Sequence, residues 1–298
     1  MSRASERINM AGEIAFNGTM ELKTGETPVW VIQPSKGFLR INLPELWHYR
    51  ELFYFLVWRE IKVRYKQTFI GAGWAIIQPF FSMVIFTLFF GNLAKIPSDG
   101  IPYPVFSYAA LLPWTFFAQA MSFSANSLIA NSNLVTKIYF PRLIMPVAPV
   151  LACLVDLAIA CALLFVLMPY YGVLPSRNLW AIPIPLFLAV MTACGIGIFL
   201  SALNVKYRDF RYVIPFLTQF WMFGSPVVYP ASMVPEQWRI VYGLNPMTGV
   251  IEGFRWALLG TQIDPWPIIL TSAISATVIL FFGIYYFRRA ERFFADLI

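Results

Sequence analysis

The sequence predicts an all-α membrane protein: six transmembrane helices with an N-terminal interfacial amphipathic helix, short external re-entrant helices between spans 5 and 6, and a small N-terminal strand-like segment. Three observations predict it. Hydrophobic residues fill 59% of the 298 positions and charged residues only 12%, against about 25% charged in an ordinary soluble domain; too few charges exist to cover a water-facing surface. Apolar runs at about 69–94, 105–130, 143–170, 180–203, 212–230 and 268–287 each approach the roughly 20 residues a helix needs to cross about 30 Å of hydrocarbon. Lys and Arg gather in alternate connections between those runs.

Residues 1–43 form a cytoplasmic N-terminal segment. Within 13–42, "EIAFNG" and "TPVWVIQP" are β-prone runs punctuated by Asn17-Gly18, Thr24-Gly25 and Pro34-Ser35-Lys36-Gly37, which fits a small hairpin. The first 45 residues hold no apolar h-region, so a cleavable secretory signal is not expected. Asn17-Gly18-Thr19 matches a glycosylation sequon by pattern only.

Residues 44–67 form the interfacial helix. At 100° per residue, Glu51, Arg59, Lys62 and Lys66 share one arc, with Tyr54, Val57, Trp58, Ile61 and Tyr65 beside it. Aromatics at the boundary and cations toward anionic headgroups or a cytoplasmic partner suit a helix lying in the headgroup layer; plain flanking charge is the simpler reading of the same residues. Glu60 and Arg64 lie opposite at i,i+4, able to pair.

Residues 68–298 form the six-span domain. Pro79, Pro113, Pro146, Pro149 and Pro215 fall inside spans, tolerated where neighbouring helices satisfy the freed carbonyls. Residues 1–66 carry ten Lys and Arg, 131–142 two, 204–211 three and the tail three, eighteen of twenty-two in all; Lys95, Arg177, Arg239 and Arg255 lie on the other side. Both termini are therefore expected in the cytoplasm, and the formal charge of +7 orients the chain rather than binding nucleic acid.

Between spans five and six, 246–260 is apolar but too short to cross, and Glu252 and Arg255 interrupt it. Asn245 suits an N-cap, Pro246 the first helical position and Gly260 the closing turn, while Glu252 and Arg255 are spaced to pair. A shorter helix is expected at 233–242. Two half-helices of this kind over 231–260 resemble a lid or gate; an amphipathic external loop is the plainer alternative.

The 131–142 connection is a short amphipathic elbow in which Lys137 and Arg142 flank Tyr139 and Phe140, and Pro141 ends the turn. An exposed aromatic tip there suits a cleft in another protein, though orienting charge alone also explains the two cations. No G-x-x-x-x-G-K-[ST] occurs, so this chain has no phosphate loop of that kind. His48 is the single histidine, and Cys153, Cys161 and Cys194 lie in apolar stretches, giving no basis for a metal centre or a catalytic constellation. Asp156 is the one acid in the middle of a span; insertion scales put its cost at about 2.5–3.5 kcal/mol, so it should meet a partner or a cavity, either as a structural hydrogen-bonding group or as part of a proton relay.

Taken together, "VIQPSKGFLRINLPELWHYREL", "RYKQTFIGAGWAIIQPFFSMVIFTLFFG", "NLVTKIYFPRLIMP", "VKYRDFRYVIPFLTQFWMFGSPVVYP" and "LNPMTGVIEGFRWALLG", in this order, resemble the ABC-2 type permeases that export O-antigen, capsule and teichoic acid. The resemblance runs from about residue 30 to the end. It implies a homodimer of permeases in the bacterial inner membrane, with two copies of a cytoplasmic P-loop ATPase. ATP and Mg would then be bound on the partner rather than here, and the substrate would be an undecaprenyl-linked polysaccharide. It implies that 131–142 is the coupling helix, with Lys137, Tyr139, Phe140, Pro141 and Arg142 at the ATPase, joined by Lys62, Arg64 and Tyr65. It also implies external gate helices at 231–260, holding Asn245, Pro246, Glu252 and Arg255, and a channel lined by spans one and five. Those spans carry Trp74, Phe80 and Phe81, and Phe216, Phe220, Trp221, Phe223 and Tyr229, whose rings suit the C–H faces of sugars. An ion-coupled transporter would call for several intramembrane charges, and an enzyme on lipid-linked sugars for clustered acids or histidines; the sequence offers neither.

Overall fold

The computed structural model describes residues 47–66, 71–207, 209–261 and 264–294, without the side chain of Phe293. Among them the chain forms ten α-helices and no strand; the hairpin expected within 13–42 lies outside the described residues. Helix α1 (Arg50–Tyr65) lies within the stretch predicted as an interfacial helix, with Leu56 its buried residue. A 3-10 turn at Gly71–Gly73, α2 (Trp74–Phe86) and a π-helical stretch at Thr87–Leu93 build the first apolar run. Then follow α3 (Tyr103–Ala130), α4 (Ser132–Lys137), α5 (Ile144–Tyr170), α6 (Pro183–Lys206), α7 (Phe210–Phe223), α8 (Glu236–Tyr242), α9 (Pro246–Leu259) and α10 (Trp266–Ala290).

Four helical runs among the described residues are long and apolar enough to cross a bilayer: Gly71–Leu93, Ile144–Tyr170, Pro183–Lys206 and Trp266–Ala290. At 1.5 Å per residue, the 28 residues of α3 reach about 42 Å. Its lower half carries Gln119, Ser122, Ser124, Asn126 and Ser127, most of them in bonds with main-chain carbonyls, such as Ser124 Oγ to Pro146 O at 2.7 Å. It is the central post, with most of its residues buried against α5, α6 and α9.

The fifth predicted apolar run, 212–230, is helical only in part. Helix α7 stops at Phe223, after 14 residues or about 21 Å, and 224–230 continue as irregular backbone. Pro226 supplies the reason: it has no N–H to carry the helical ladder on and disfavours helix at the residue before it, and Gly224 closes the last turn.

The helices alternate in direction. Starting beside α9, where Tyr103 Oη bonds Val228 O at 2.7 Å, α3 runs to Asn131, which meets Arg59 of α1 at 2.6 Å. The course of α5 is from the elbow back to the end where Ser176 N bonds Leu258 O at 3.0 Å, and α6 returns to Asn204, bonded to Ala125 O at 3.0 Å. Helix α10 starts with Trp266 against Trp256 (5.8 Å) and ends at the elbow, where Arg142 bonds Glu291 O at 2.9 Å. All the segments predicted to be cytoplasmic that are described here thus share one end. One apolar core joins α3, α5, α6 and α9, and a second joins the elbow to α1 and the end of α10.

Helices α6 and α10 pack backbone to backbone at Gly195 and Gly283. A Cβ on Gly195 would lie 2.8 Å from Leu280 Cα, and one on Gly283 would strike Gly195 O. Small residues at such crossings substitute van der Waals contact for the hydrophobic drive that lipid removes. Gly283→Val is expected to cost about 1–3 kcal/mol by overpacking, read as a lowered melting temperature of the purified protein; an unchanged midpoint would show that this crossing tolerates separation. The three cysteines are unpaired, Cys153 being fully buried.

Candidate functional site

At the elbow end, α4 is a single helical turn and a half, after which Ile138 turns extended. Lys137, Ile138 and Tyr139 are exposed, Tyr139 by 74%. Phe140 is not at the tip as expected: it is 5% exposed and belongs to the lower core with Leu56, Val135, Phe287 and Phe294. A bend at Phe140 turns its ring into the lower core while Tyr139 before it stays exposed. Pro141 is buried too, and Arg142 is half-buried with its guanidinium on Glu291 O. The predicted contact residues therefore divide into an exposed edge, Lys137 to Tyr139, and an anchor, Phe140 to Arg142.

The second group also divides. Lys62 is exposed, with Nζ 5.3 Å from the centre of the Trp58 ring. Arg64 and Tyr65 point inward onto Asp156: Arg64 Nη1 lies 2.6 Å from Asp156 Oδ2, and the Tyr65 hydroxyl donates to Oδ1. Arg64 also lies over the Phe123 ring at 4.2 Å. Glu60 takes Arg59 instead, at 2.8 Å, so the Glu60–Arg64 pair predicted from the helical wheel does not form. Sequence reasoning recognised that Asp156 must have a partner but spent Arg64 on a local one. A carboxylate buried in a span draws a cation more strongly than one at the surface, because water no longer competes. Among the described residues, this is the polar tie between α1 and the middle of α5. Removing the acid leaves a largely desolvated guanidinium: Asp156→Ala is expected to cost about 2–4 kcal/mol, short of a fully buried pair because Arg64 and Asp156 remain 14% and 16% exposed. Asp156→Leu with Arg64→Met should recover most of the melting temperature. If the single variant melts like wild type, the tie carries no stability.

At the other end, α9 forms as its sequence dictates. Asn245 Oδ1 accepts from Met247 N at 3.1 Å, Pro246 occupies the first turn, and Gly260 closes the helix at φ 72°. Every residue of α9 except Trp256 is buried, so it is a core helix rather than a surface flap, while α8 has no buried residue. Arg255 and Glu252 pair at 2.9 Å with side chains 0% and 4% exposed. Arg255 also donates to Val227 O (2.9 Å) and Tyr229 O (3.3 Å) and lies 3.6 Å from the centre of the Phe106 ring, while Ala231 N donates to Glu252 Oε1 at 3.2 Å. The pair thus staples the irregular 227–231 backbone, which has no helical partners of its own, to α9 and α3.

The predicted path residues lie on α2, on α7 and on the segment that follows it. Trp74, Phe81, Phe216, Phe220 and Phe223 are exposed, and the Phe216 and Phe220 rings stack at 6.5 Å and 19°. Phe80 and Tyr229 are half-buried. Trp221 turns inward, its ring 5.3 Å from Phe117 and its indole N–H on Asn245 Oδ1 at 2.9 Å. No group of three or more His, Cys, Asp or Glu placed to hold a metal occurs among the described residues.

A core-packed short helix, α9, preceded by the exposed α8 at one end, an aromatic elbow at the other and exposed aromatic helices between them describe a transport subunit rather than an enzyme. Residues 51–259 match the ABC-2 type transporter family, and the chain belongs to it. The chain is 27% identical over 253 residues to the O-antigen export system permease protein RfbA of Myxococcus xanthus, which covers 84% of this chain and 96% of that protein. It is 28% identical over 245 residues to the RfbA permease of Klebsiella pneumoniae (80% and 92%), and 24% identical over 238 residues to the polysialic acid transport protein KpsM of Escherichia coli (78% and 91%). It is a multi-pass membrane permease that carries no phosphate loop of its own.

Proposed function

We propose that this chain is the permease half of an ATP-driven exporter of lipid-linked polysaccharide in a bacterial inner membrane. Similarity to O-antigen and polysialic acid transporters along four fifths of its length carries the reading. The chain crosses six times, with α3 and the α7-to-230 segment as the two crossings beyond the four long apolar runs, and both termini lie in the cytoplasm. Two copies pair, and each seats one P-loop ATPase that supplies ATP and Mg. Lys137 and Tyr139 meet the ATPase; Phe140, Pro141 and Arg142 hold them in place; Lys62 adds an exposed cation beside them, and Arg64 and Tyr65 brace α1.

Across the pair, α2 and α7 face each other and line the route. The uncovered aromatics Trp74, Phe81, Phe216, Phe220 and Phe223 support this, since flat rings hold sugar C–H faces without deep wells, and Phe80 and Tyr229 border them. At the outer end, Glu252, Arg255, Asn245 and Pro246 form a fixed frame, and α8 moves against it. An undecaprenyl carrier keeps the glycan at the membrane. Inverted vesicles containing this chain with its ATPase should take up an undecaprenyl-linked glycan only with ATP, and a Phe220→Cys variant should form a disulfide-linked dimer. If the isolated chain hydrolyses ATP, or moves solute down an ion gradient, the reading is wrong.

A further inference from the structure

We propose that Asn245 is the positioning residue that makes α7 and α9 move as one body during export; the proposal rests on the permease reading above. Helix α7 is short, and Ile214 is its single buried residue, so apolar packing holds it weakly. Its upper end is held by the Trp221 ring on Phe117, by the Tyr229 hydroxyl on Phe223 O at 3.1 Å and, with the most bonds, by one amide. Trp221 Nε1 donates to Asn245 Oδ1 at 2.9 Å, and Asn245 Nδ2 donates to Gly224 O at 3.0 Å and to Ser225 Oγ at 2.9 Å. The same Oδ1 accepts from Met247 N to cap α9. Two donor hydrogens and two acceptor sites are the full capacity of an asparagine side chain, and all are used between these two helices.

The far side of the joint is firm. Ser272 of α10 donates to Gly243 O at 2.8 Å and accepts from Gly249 N at 3.0 Å, clamping the segment that holds Asn245, and a Cβ on Gly249 would lie 2.5 Å from Ser272 Oγ. A displacement of α7 therefore has a polar route into α9. With every donor and acceptor of the amide in use, shifting α7 against α9 means breaking several bonds at once. A residue serving only as a helix cap would use one acceptor and leave its amide N–H groups to water; here both point into the end of α7.

Cap and tie can be separated. Asn245→Ser keeps a good N-cap but is too short to span to Trp221 and Gly224, whereas Asn245→Ala loses both functions. Trp221→Phe removes one bond of the tie from the other side and leaves the cap untouched. The permease–ATPase complex is reconstituted in liposomes with an undecaprenyl-linked O-antigen-type glycan. Glycan moved per ATP hydrolysed is measured, together with the distance between spin labels on Gln219→Cys and Leu244→Cys. Asn245→Ser and Trp221→Phe should lower glycan per ATP by about tenfold, the scale of one coupling free energy, with ATPase rate held within about twofold and a broader label distribution.

An unchanged ratio and distribution in both variants would overturn the proposal. So would Asn245→Ser behaving like Asn245→Ala, with protein amount, ATPase rate and export falling together. If Asn245→Ser does not accumulate, the ratio and label distance of Trp221→Phe decide alone. A wild-type complex that moves no glycan refutes the permease reading instead, leaving the two failures distinct.

Discussion

Arg255→Met should lower the stability of the permease by about 3–5 kcal/mol, the range for removing one partner of a buried ion pair. The effect is large because nothing can replace the guanidinium. Glu252, 4% exposed, would keep a carboxylate facing apolar side chains, and the carbonyls of Val227 and Tyr229 would lose their donor at the same time. Arg255→Lys should rescue little, since one ammonium lacks the planar fork that reaches a carboxylate and two carbonyls together. Glu252→Leu with Arg255→Met should recover part of the loss: the charge goes, but Ala231 N and the two carbonyls remain unpaired. Fluorescence-detected size-exclusion melting of the four proteins checks this. Equal midpoints for Arg255→Met and wild type would mean that the 227–231 backbone is held by other contacts.

Tyr139→Ala should abolish export and ATPase co-purification while leaving the melting temperature nearly unchanged. With 74% of its surface exposed, the ring contributes little to the fold, and surface substitutions usually shift stability by under about 0.5 kcal/mol; large aromatic anchors at interface centres carry 2 kcal/mol or more of binding. Phe140→Ala provides the contrast. It empties a site among Leu56, Val135, Phe287 and Phe294, so it should cost about 3–5 kcal/mol of stability and lose the ATPase only as the elbow loosens. Both variants would be co-expressed with the ATPase, captured on tagged permease and melted. Export and capture at wild-type levels in Tyr139→Ala would remove the elbow tip from the coupling surface.

These contrasts follow from where local rules succeeded. The cap at Asn245, the proline after it and the left-handed Gly260 involve atoms within a few residues of one another, so α9 could be read with its ends and its internal Glu252–Arg255 pair. That part of the 44–67 stretch is helical was also anticipated. The end of α7 was not: an apolar stretch runs past Phe223, and hydropathy does not register that Pro226 and Gly224 stop the helix inside it. Phe140 was misplaced because both aromatics at the elbow look alike in sequence, and only the packed fold buries one in the lower core and leaves the other exposed. For Arg64, the i,i+4 rule proposed Glu60 when a buried carboxylate ninety-two positions away was the stronger attractor.

By itself, the sequence determined that this is an α-helical membrane protein, where its apolar runs lie, and which end gathers the positive charge. Those properties depend on the solvent around each segment, and hydrocarbon imposes its demands residue by residue. Only the tertiary structure decided which polar groups meet: Arg64 and Tyr65 on Asp156, Arg255 on the 227–231 carbonyls, Asn245 on the end of α7. Each of these meetings joins residues on different elements. Its strength comes from the scarcity of competing water, and its geometry exists only once the helices have packed.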